Sequence, residues 1–202
     1  MQRPTLPAGD RQLIQIVDAA LADSTRRSGS WLLCRPGCTQ CCIGVFAISQ
    51  LDALRLKHGI TELETTDPMR GARVRARAQE SARRLAANFP GNPKTGVLDP
   101  HSEERFADFA NDEPCPALDP TTGMCDLYAS RPITCRVFGP PLRSENGLGV
   151  CELCFQGARD EEIAACAMEV DPDDLESKLL LEIERRNKLT GDTIVAFALA
   201  EK

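Results

Sequence analysis

The spacing of apolar residues along the chain predicts a series of helices. The first begins near Asp10, which can cap it, and runs to about Arg27, where Gly29 supplies the stop. Its apolar positions recur at helical spacing: Leu13, Ile14, Val17, Ala20 and Leu21. Such a stripe is typical of a helix that packs one face against the rest of the protein.

Two further helix starts are marked by capping residues. Ser49 and Asp52 form a capping box for a helix that we expect to end at His58–Gly59, where a histidine suits the helix C-terminus. Asp67–Pro68 opens the next helix, because proline is favoured at the first helical position, and the pattern continues to Asn88. The residues expected to be buried on it are Val74, Ala78, Ala82, Leu85 and Phe89.

The rest of the chain predicts a loop-rich region followed by helices. Residues 111–156 carry many turn signals without sustained periodicity, so they cannot bury enough apolar surface alone. Further helices are expected at 102–110, 159–169, 172–189 and 193–200. The expected fold is mainly α, with a loop-rich region organised by cysteines and metal and at most a short β-hairpin. We expect a single domain over 1–202, with a cysteine-cluster core at 30–155 and C-terminal helices at 156–202.

Composition and charge narrow the class of protein. The net charge of −6 and the pI near 5.1 are unlike the basic surfaces that bind nucleic acid or anionic membranes, so neither partner is expected. The first ten residues lack an apolar leader, and no run approaches the roughly 18–20 apolar residues of a membrane span. We therefore expect a cytoplasmic protein whose ten cysteines are reduced.

The first cysteine cluster is the segment CRPGCTQCC, from Cys34 to Cys42. Residues three or four apart on a helical turn have Cβ atoms about 5–6 Å apart, so Cys34, Cys38 and one of the adjacent pair could converge on one ion. Neighbours on a helix point about 100° apart, so Cys41 and Cys42 are not expected to share one relaxed tetrahedral site. Pro36–Gly37 also leaves room for a non-helical loop.

The second cluster contains Cys115, Cys125, Cys135, Cys151 and Cys154. Two short strands around 119–123 would bring Cys115 near Cys125, and a helical turn starting at Pro132 would present Cys135. The two-residue gap between the last pair is typical of zinc knuckles and of many cluster loops. The two clusters together exceed one tetrahedral site, so we expect either two sites or one polynuclear site.

Metal binding is favoured over disulfides, redox chemistry or simple burial of the thiols. Structural zinc contributes roughly 10–16 kcal/mol to folding, compared with about 5–15 kcal/mol for the net stability of a domain. That free energy is enough to organise residues 111–156. Soft thiolates suit zinc, Cu(I) and iron–sulfur clusters alike, and the cofactor that we expect is zinc or iron, the latter alone or in an iron–sulfur cluster.

These residues resemble the YkgJ-type cysteine-cluster family, also called CxxCxxCC, a group described as zinc- or iron-chelating. Besides CRPGCTQCC, the resemblance rests on CPALDPTTGMCDLYASRPITCRVF, which fits the pattern C-x-x-Y-x-x-R-P-x-x-C-R from Cys125 to Arg136. It covers about 30–155. The ligands that it implies are Cys34, Cys38, Cys41, Cys42, Cys115, Cys125, Cys135 and one of Cys151 or Cys154. The family's relatives include flagellin lysine methylases, for which an iron–sulfur cluster is implied.

Other candidate residues have simpler interpretations. The arginines of the third helix are expected to form a solvated basic face, although a docking surface for an acidic partner or RNA would fit the same pattern. They are Arg70, Arg73, Arg75, Arg77, Arg83 and Arg84. His101 is a spare ligand candidate in a loop, and Cys166 is expected to be a buried apolar side chain away from both clusters.

Three functions fit the sequence, and it identifies no catalytic residue. The first is a non-catalytic domain that binds a metal ion and acts in metal handling or binds a protein partner. The second is an iron–sulfur enzyme or enzyme subunit, for which the resemblance offers protein lysine methylation as the example. The third is a thiol redox switch at Cys151–Cys154, although no βαβ pattern surrounds this pair.

Overall fold

The computed structural model describes residues 5–144, 147–188 and 190–200. Its helices are α1 Asp10–Ser28, α2 Gln50–Thr66, α3 Pro68–Leu85, α4 Glu103–Ala107, α5 Ile133–Arg136, α6 Asp160–Ala165, α7 Leu175–Asn187 and α8 Val195–Ala200. Its strands are β1 Gly91–Asn92, β2 Val97–Leu98, β3 Leu142–Ser144 and β4 Gly147–Gly149. Single turns of 3-10 helix occur at Gly29–Trp31, Gln40–Cys42 and Tyr128–Ser130.

The chain divides into two compact units. The first consists of the described parts of Met1–Pro7, Thr39–Pro132 and Leu180–Lys202, and the second of Ala8–Cys38 and Ile133–Leu179. Each unit contains apolar clusters of its own. The single domain over 1–202 stays a prediction.

Helices α2, α3 and α8 pack together in the first unit. The core between them includes Leu56 and Ile60 of α2, Val74 and Ala78 of α3, and Leu199 of α8. All five residues that the sequence predicts to be buried on or just after α3 are buried. The apolar stripe of α3 therefore packs as its 3.6-residue periodicity predicts.

The predicted starts of α2 and α3 are confirmed by their caps. The Ser49 side chain accepts a hydrogen bond from the backbone N–H of Asp52 at 3.3 Å. The Asp67 side chain accepts one from the N–H of Arg70 at 3.0 Å, and Pro68 occupies the first helical position. Each side chain satisfies a backbone donor that has no partner within the helix.

The predicted end of α2 at His58–Gly59 is wrong, because the helix continues to Thr66. Gly59 lies inside α2 and faces Ser130: a Cβ at position 59 would be 2.3 Å from the Ser130 Oγ and 2.5 Å from its Cβ. Glycine thus serves close packing here instead of ending the helix. His58 lies about two turns before the helix end, so its predicted role at a C-terminus is also wrong.

In the second unit, α1 packs against α5. Leu13 and Val17 of α1 are completely buried, and Gly29 follows the helix with a φ of +50°. The predicted helix is therefore confirmed, except that Gly9 holds the N-cap position and Asp10 begins the first turn.

The predicted fold class is confirmed. In the parts of the chain that the structure describes, the sheets are two antiparallel pairs, β1–β2 in the first unit and β3–β4 in the second. The pair β1–β2 lies between α3 and α4. The predicted C-terminal helices appear as α6, α7 and α8 with shorter bounds. No helix among the described residues is both long enough and apolar enough to span a bilayer.

Candidate metal centre

Four of the predicted ligands lie in the first unit: Cys41, Cys42, Cys115 and Cys125. The backbone N–H of Cys115 donates to the carbonyl of Cys42 at 2.8 Å. An antiparallel bridge between Leu118 and Cys125 closes the loop after Cys115, in agreement with the strand pairing predicted there. These backbone contacts bring cysteines that are far apart in the sequence into one neighbourhood.

The adjacent thiols of Cys41 and Cys42 hydrogen-bond to each other, so they do not diverge as an α-helical turn predicts. This hydrogen bond, with the charge of Arg131, outweighs the effect of burial and lowers the pKa of Cys41 to about 7. The same bond and burial raise the pKa of Cys42. Near neutral pH the pair can therefore hold a thiolate on Cys41 that accepts a hydrogen bond from the Cys42 thiol.

The other two thiols of this group favour the protonated form. Burial raises the pKa of Cys115 to about 12, and it also raises the pKa of Cys125. Negative charge on Cys41 acts in the same direction on both. A cation bound among these thiols would instead favour their deprotonated forms, because it stabilises the thiolate that coordinates it.

Arg131 supplies a positive charge beside the same thiols. Its guanidinium carbon lies 3.7 Å from the centroid of the Tyr128 ring, and its Nη1 donates to the Tyr128 carbonyl at 3.1 Å. The charge favours the thiolate forms of Cys41 and Cys125. Tyr128 and Arg131 both belong to the C-x-x-Y-x-x-R-P pattern, so part of that pattern orients a cation toward the cysteines.

The solvated face that the sequence predicts on α3 is found only in part, because Arg73 and Arg83 are exposed but three other arginines pair with acidic residues. Arg70 and Arg77 both pair with the buried carboxylate of Asp126, and Arg84 pairs with Glu113. Sequence reasoning missed these acidic partners. The available signal was the seven-residue spacing of the three arginines, which places them on one helix face.

The other five predicted ligands lie in the second unit: Cys34, Cys38, Cys135, Cys151 and Cys154. The N–H of Cys38 donates to the carbonyl of Arg35 at 2.9 Å, and Gly37 has a φ of +89°. The segment from Cys34 to Cys38 is therefore the non-helical loop that Pro36–Gly37 allows.

The Cys151 and Cys154 side chains hydrogen-bond to each other. The backbone N–H of Cys154 also donates to the Cys151 carbonyl at 2.9 Å, as expected for a tight turn between them. Burial raises the pKa of Cys151, and negative charge on Cys154 or Cys38 raises it further. Cys38 and Cys154 therefore both act on the Cys151 thiol.

The remaining two predicted ligands of the second unit have different settings. Cys34 lies against Gly139, where an added Cβ would be 3.3 Å from the Cys34 Cβ and 3.7 Å from its Sγ. Cys135 is carried by α5 and is partly buried, so the helical turn predicted after Pro132 is confirmed.

Cys166 is buried as predicted, but it does not lie away from the cysteine clusters. It packs in one apolar cluster with Cys151 and Cys154, and its carbonyl accepts a hydrogen bond from the buried Ser24 hydroxyl at 2.5 Å. His101 is exposed in its loop.

The chemistry of the donor set suits a soft metal ion. All ten cysteines lie in the described part of the chain and none is in a disulfide, and thiolates are the protein ligands that zinc and iron–sulfur clusters share. Within 5–144, 147–188 and 190–200, no three His, Cys, Asp or Glu side chains already form a set that could hold a metal ion. A cysteine has one side-chain torsion with three staggered positions, so its sulfur can be redirected while the backbone stays in place.

The comparison with protein families agrees with this chemistry. Residues 33–154 match the model of the CxxCxxCC family, whose description is "Putative zinc- or iron-chelating domain". The match covers more than half of the chain and includes all nine predicted ligands, so the chain belongs to this family. No curated protein and no solved structure matches the chain.

Proposed function

We propose that this protein binds zinc or iron through cysteine thiolates, with one site formed by Cys41, Cys42, Cys115 and Cys125. The proposal rests on the backbone hydrogen bond between Cys115 and Cys42 at 2.8 Å and on the bridge that returns the chain at Cys125. Negative charge on Cys41 raises the pKa of both later thiols, in agreement with their proximity. Four thiolates are a common ligand set for structural zinc and for iron–sulfur clusters. The family description supports the same class of metal.

A second site in the other unit would use Cys38, Cys151 and Cys154. The hydrogen-bonded pair Cys151–Cys154 and its electrostatic interaction with Cys38 support this assignment. Cys34 and Cys135 are the candidates for a fourth ligand. Two sites of this kind would use eight of the nine predicted ligands without crowding them around one ion.

The proposed metal has a structural role in the first unit. The segment between Cys115 and Cys125 is mostly turns, closed by one isolated bridge. Metal bonds to both of its ends would stabilise it far more than that bridge can. Free thiols that bind metal also suit a reducing compartment such as the cytoplasm, and the ordered loops could present a surface to a protein partner.

The test is metal and sulfide analysis of protein purified without oxygen, combined with a visible spectrum. We expect bound zinc or iron, with Cys42→Ser and Cys115→Ser each lowering the metal content and the melting temperature. Cys38→Ser tests the second site in the same way. Cys166→Ala is the matched control, because Cys166 is a buried cysteine outside the proposed ligand sets.

The outcomes separate the alternatives. A brown protein with stoichiometric acid-labile sulfide would identify an iron–sulfur cluster and favour the hypothesis of an iron–sulfur enzyme. A colourless zinc protein would favour a structural role for the metal. Metal-free protein with paired Cys151–Cys154 would support a redox switch and overturn the proposal. Unchanged metal content in Cys42→Ser and Cys115→Ser would overturn the site in the first unit.

A further inference from the structure

A buried carboxylate directly follows one of the proposed ligands. The Asp126 side chain is 2% exposed, and Asp126 is the residue after Cys125. Two guanidinium groups of α3 bind it: the Nε of Arg70 donates to one oxygen at 2.5 Å, and an Nη of Arg77 donates to the other at 2.6 Å. Each carboxylate oxygen thus has its own charged donor, which is the arrangement that a buried charge requires.

Arg77 also reaches the segment that carries the other late cysteine. Its Nε donates to the carbonyl of Pro116 at 2.9 Å, and Pro116 is the residue after Cys115. One planar guanidinium therefore fixes the backbone next to Cys115 and the side chain next to Cys125. A lysine could not make both bonds in this geometry, because its donors sit on a single atom.

The same face of α3 also binds the residues just before Cys115. Arg84, one seven-residue step beyond Arg77, pairs with Glu113 at 2.6 Å, and the Ser81 hydroxyl donates to the same Glu113 oxygen at 2.6 Å. The Glu113 carbonyl accepts the N–H of Gly44 at 2.9 Å, close to the Cys41–Cys42 turn. Bonds from α3 or its partners therefore lie within three residues of each proposed ligand in the first unit.

We infer that Arg77, with Arg70, is a positioning residue for the metal site proposed in the first unit. It holds the Cys115 and Cys125 backbones at a set separation, so that only the side-chain torsions of the two cysteines need to change when a metal ion binds. The inference rests on the proposed function and adds residues outside the cysteine motifs. Partners that orient ligands typically change metal affinity by about 10–100-fold when they are removed.

The test compares Arg77→Met with Arg73→Met, an exposed position on the same helix. Metal affinity is measured by competition titration with Zn²⁺, and coordination by the absorption spectrum of the Co²⁺ form. We expect Arg77→Met to bind about 10–100-fold more weakly with an altered Co²⁺ spectrum, and Arg73→Met to match the unchanged protein. Arg77→Lys should recover part of the affinity, because lysine restores the positive charge but not the planar set of donors of the guanidinium.

Alkylation mapped by mass spectrometry gives a local readout that general destabilisation would not produce. In Arg77→Met, metal should no longer protect Cys115 and Cys125, whereas Cys151 and Cys154 should keep the protection they have in the unchanged protein. Equal loss at all four cysteines would indicate a purely structural role and overturn the inference. So would wild-type affinity in Arg77→Met.

The remaining outcomes are also decisive. If Arg77→Met does not fold, Arg77→Lys is compared with Arg73→Lys, and equal affinities in that pair overturn the inference. If the unchanged protein binds no metal, the proposed function fails, and the positioning role falls with it. If the unchanged protein binds metal and only the Arg77 comparison fails, the proposed function stands.

Discussion

The packing of Gly59 against Ser130 predicts that Gly59→Ala destabilises the protein, although alanine is the better helix former. In a solvated helix this change would stabilise by about 0.8–1.0 kcal/mol. Here the new methyl group would lie 2.3 Å from the Ser130 Oγ and 2.5 Å from its Cβ. The hydroxyl can rotate away, but the Cβ is fixed to the backbone, so α2 and the 3-10 turn Tyr128–Ser130 must separate.

Helix propensity and overpacking act in opposite directions, and their magnitudes decide whether the substitution raises or lowers the free energy of unfolding. Overpacking of this kind costs typically about 1–3 kcal/mol, and contacts this short favour the upper half of that range. After subtraction of the helix propensity, we expect a net loss of about 1–2 kcal/mol. For a chain of this length, that corresponds to a fall in melting temperature of roughly 2–8 °C.

The matched experiment places Gly59→Ala in a Ser130→Gly background, where the clashing atoms are gone. There the substitution should stabilise by up to about 1 kcal/mol, because only helix propensity remains. Urea unfolding of the four proteins of this cycle, at equal metal content, measures both values and their coupling. The same sign in both backgrounds would refute the packing explanation.

Two further predictions concern the metal site and a helix cap. Burial and neighbouring thiols raise the pKa of Cys115, so this thiol keeps a proton that a metal ion must displace. The apparent affinity for Zn²⁺ should therefore rise between about pH 6 and about pH 8. Cys41, with its pKa lowered to about 7, should contribute to that slope only below neutrality, and a Zn²⁺ affinity independent of pH would contradict both statements. Ser49→Ala should lose about 1 kcal/mol in urea unfolding because α2 loses its cap, whereas Ser49→Asp should retain most of the stability.

The helices were the most predictable part of the fold. The caps of α2 and α3 and the buried stripe of α3 follow from residues within a few positions of one another, and the structure confirms them. The end of α2 was mispredicted at Gly59 because its reason lies at Ser130, which no local pattern reveals. The sequence alone does not distinguish a glycine that ends a helix from one that allows close packing of a neighbouring segment.

The candidate site was predictable in composition but not in arrangement. The sequence indicates that cysteines bind metal, because their number, spacing and family pattern are local properties. It could not indicate that Cys41 and Cys42 turn toward each other, which depends on side-chain torsions and the backbone of a 3-10 turn. The role of Arg77 was missed for a similar reason, since its partners Pro116 and Asp126 lie on another segment.

By itself, therefore, the sequence determined that this chain is mainly helical and belongs among cysteine-rich chelating domains. Both properties arise from residue type and short-range spacing. The tertiary structure decided which cysteines share a unit and that three arginines of α3 pair with Asp126 and Glu113. Those outcomes depend on where distant segments meet, because a buried charge or thiol is defined by the neighbours that folding brings to it.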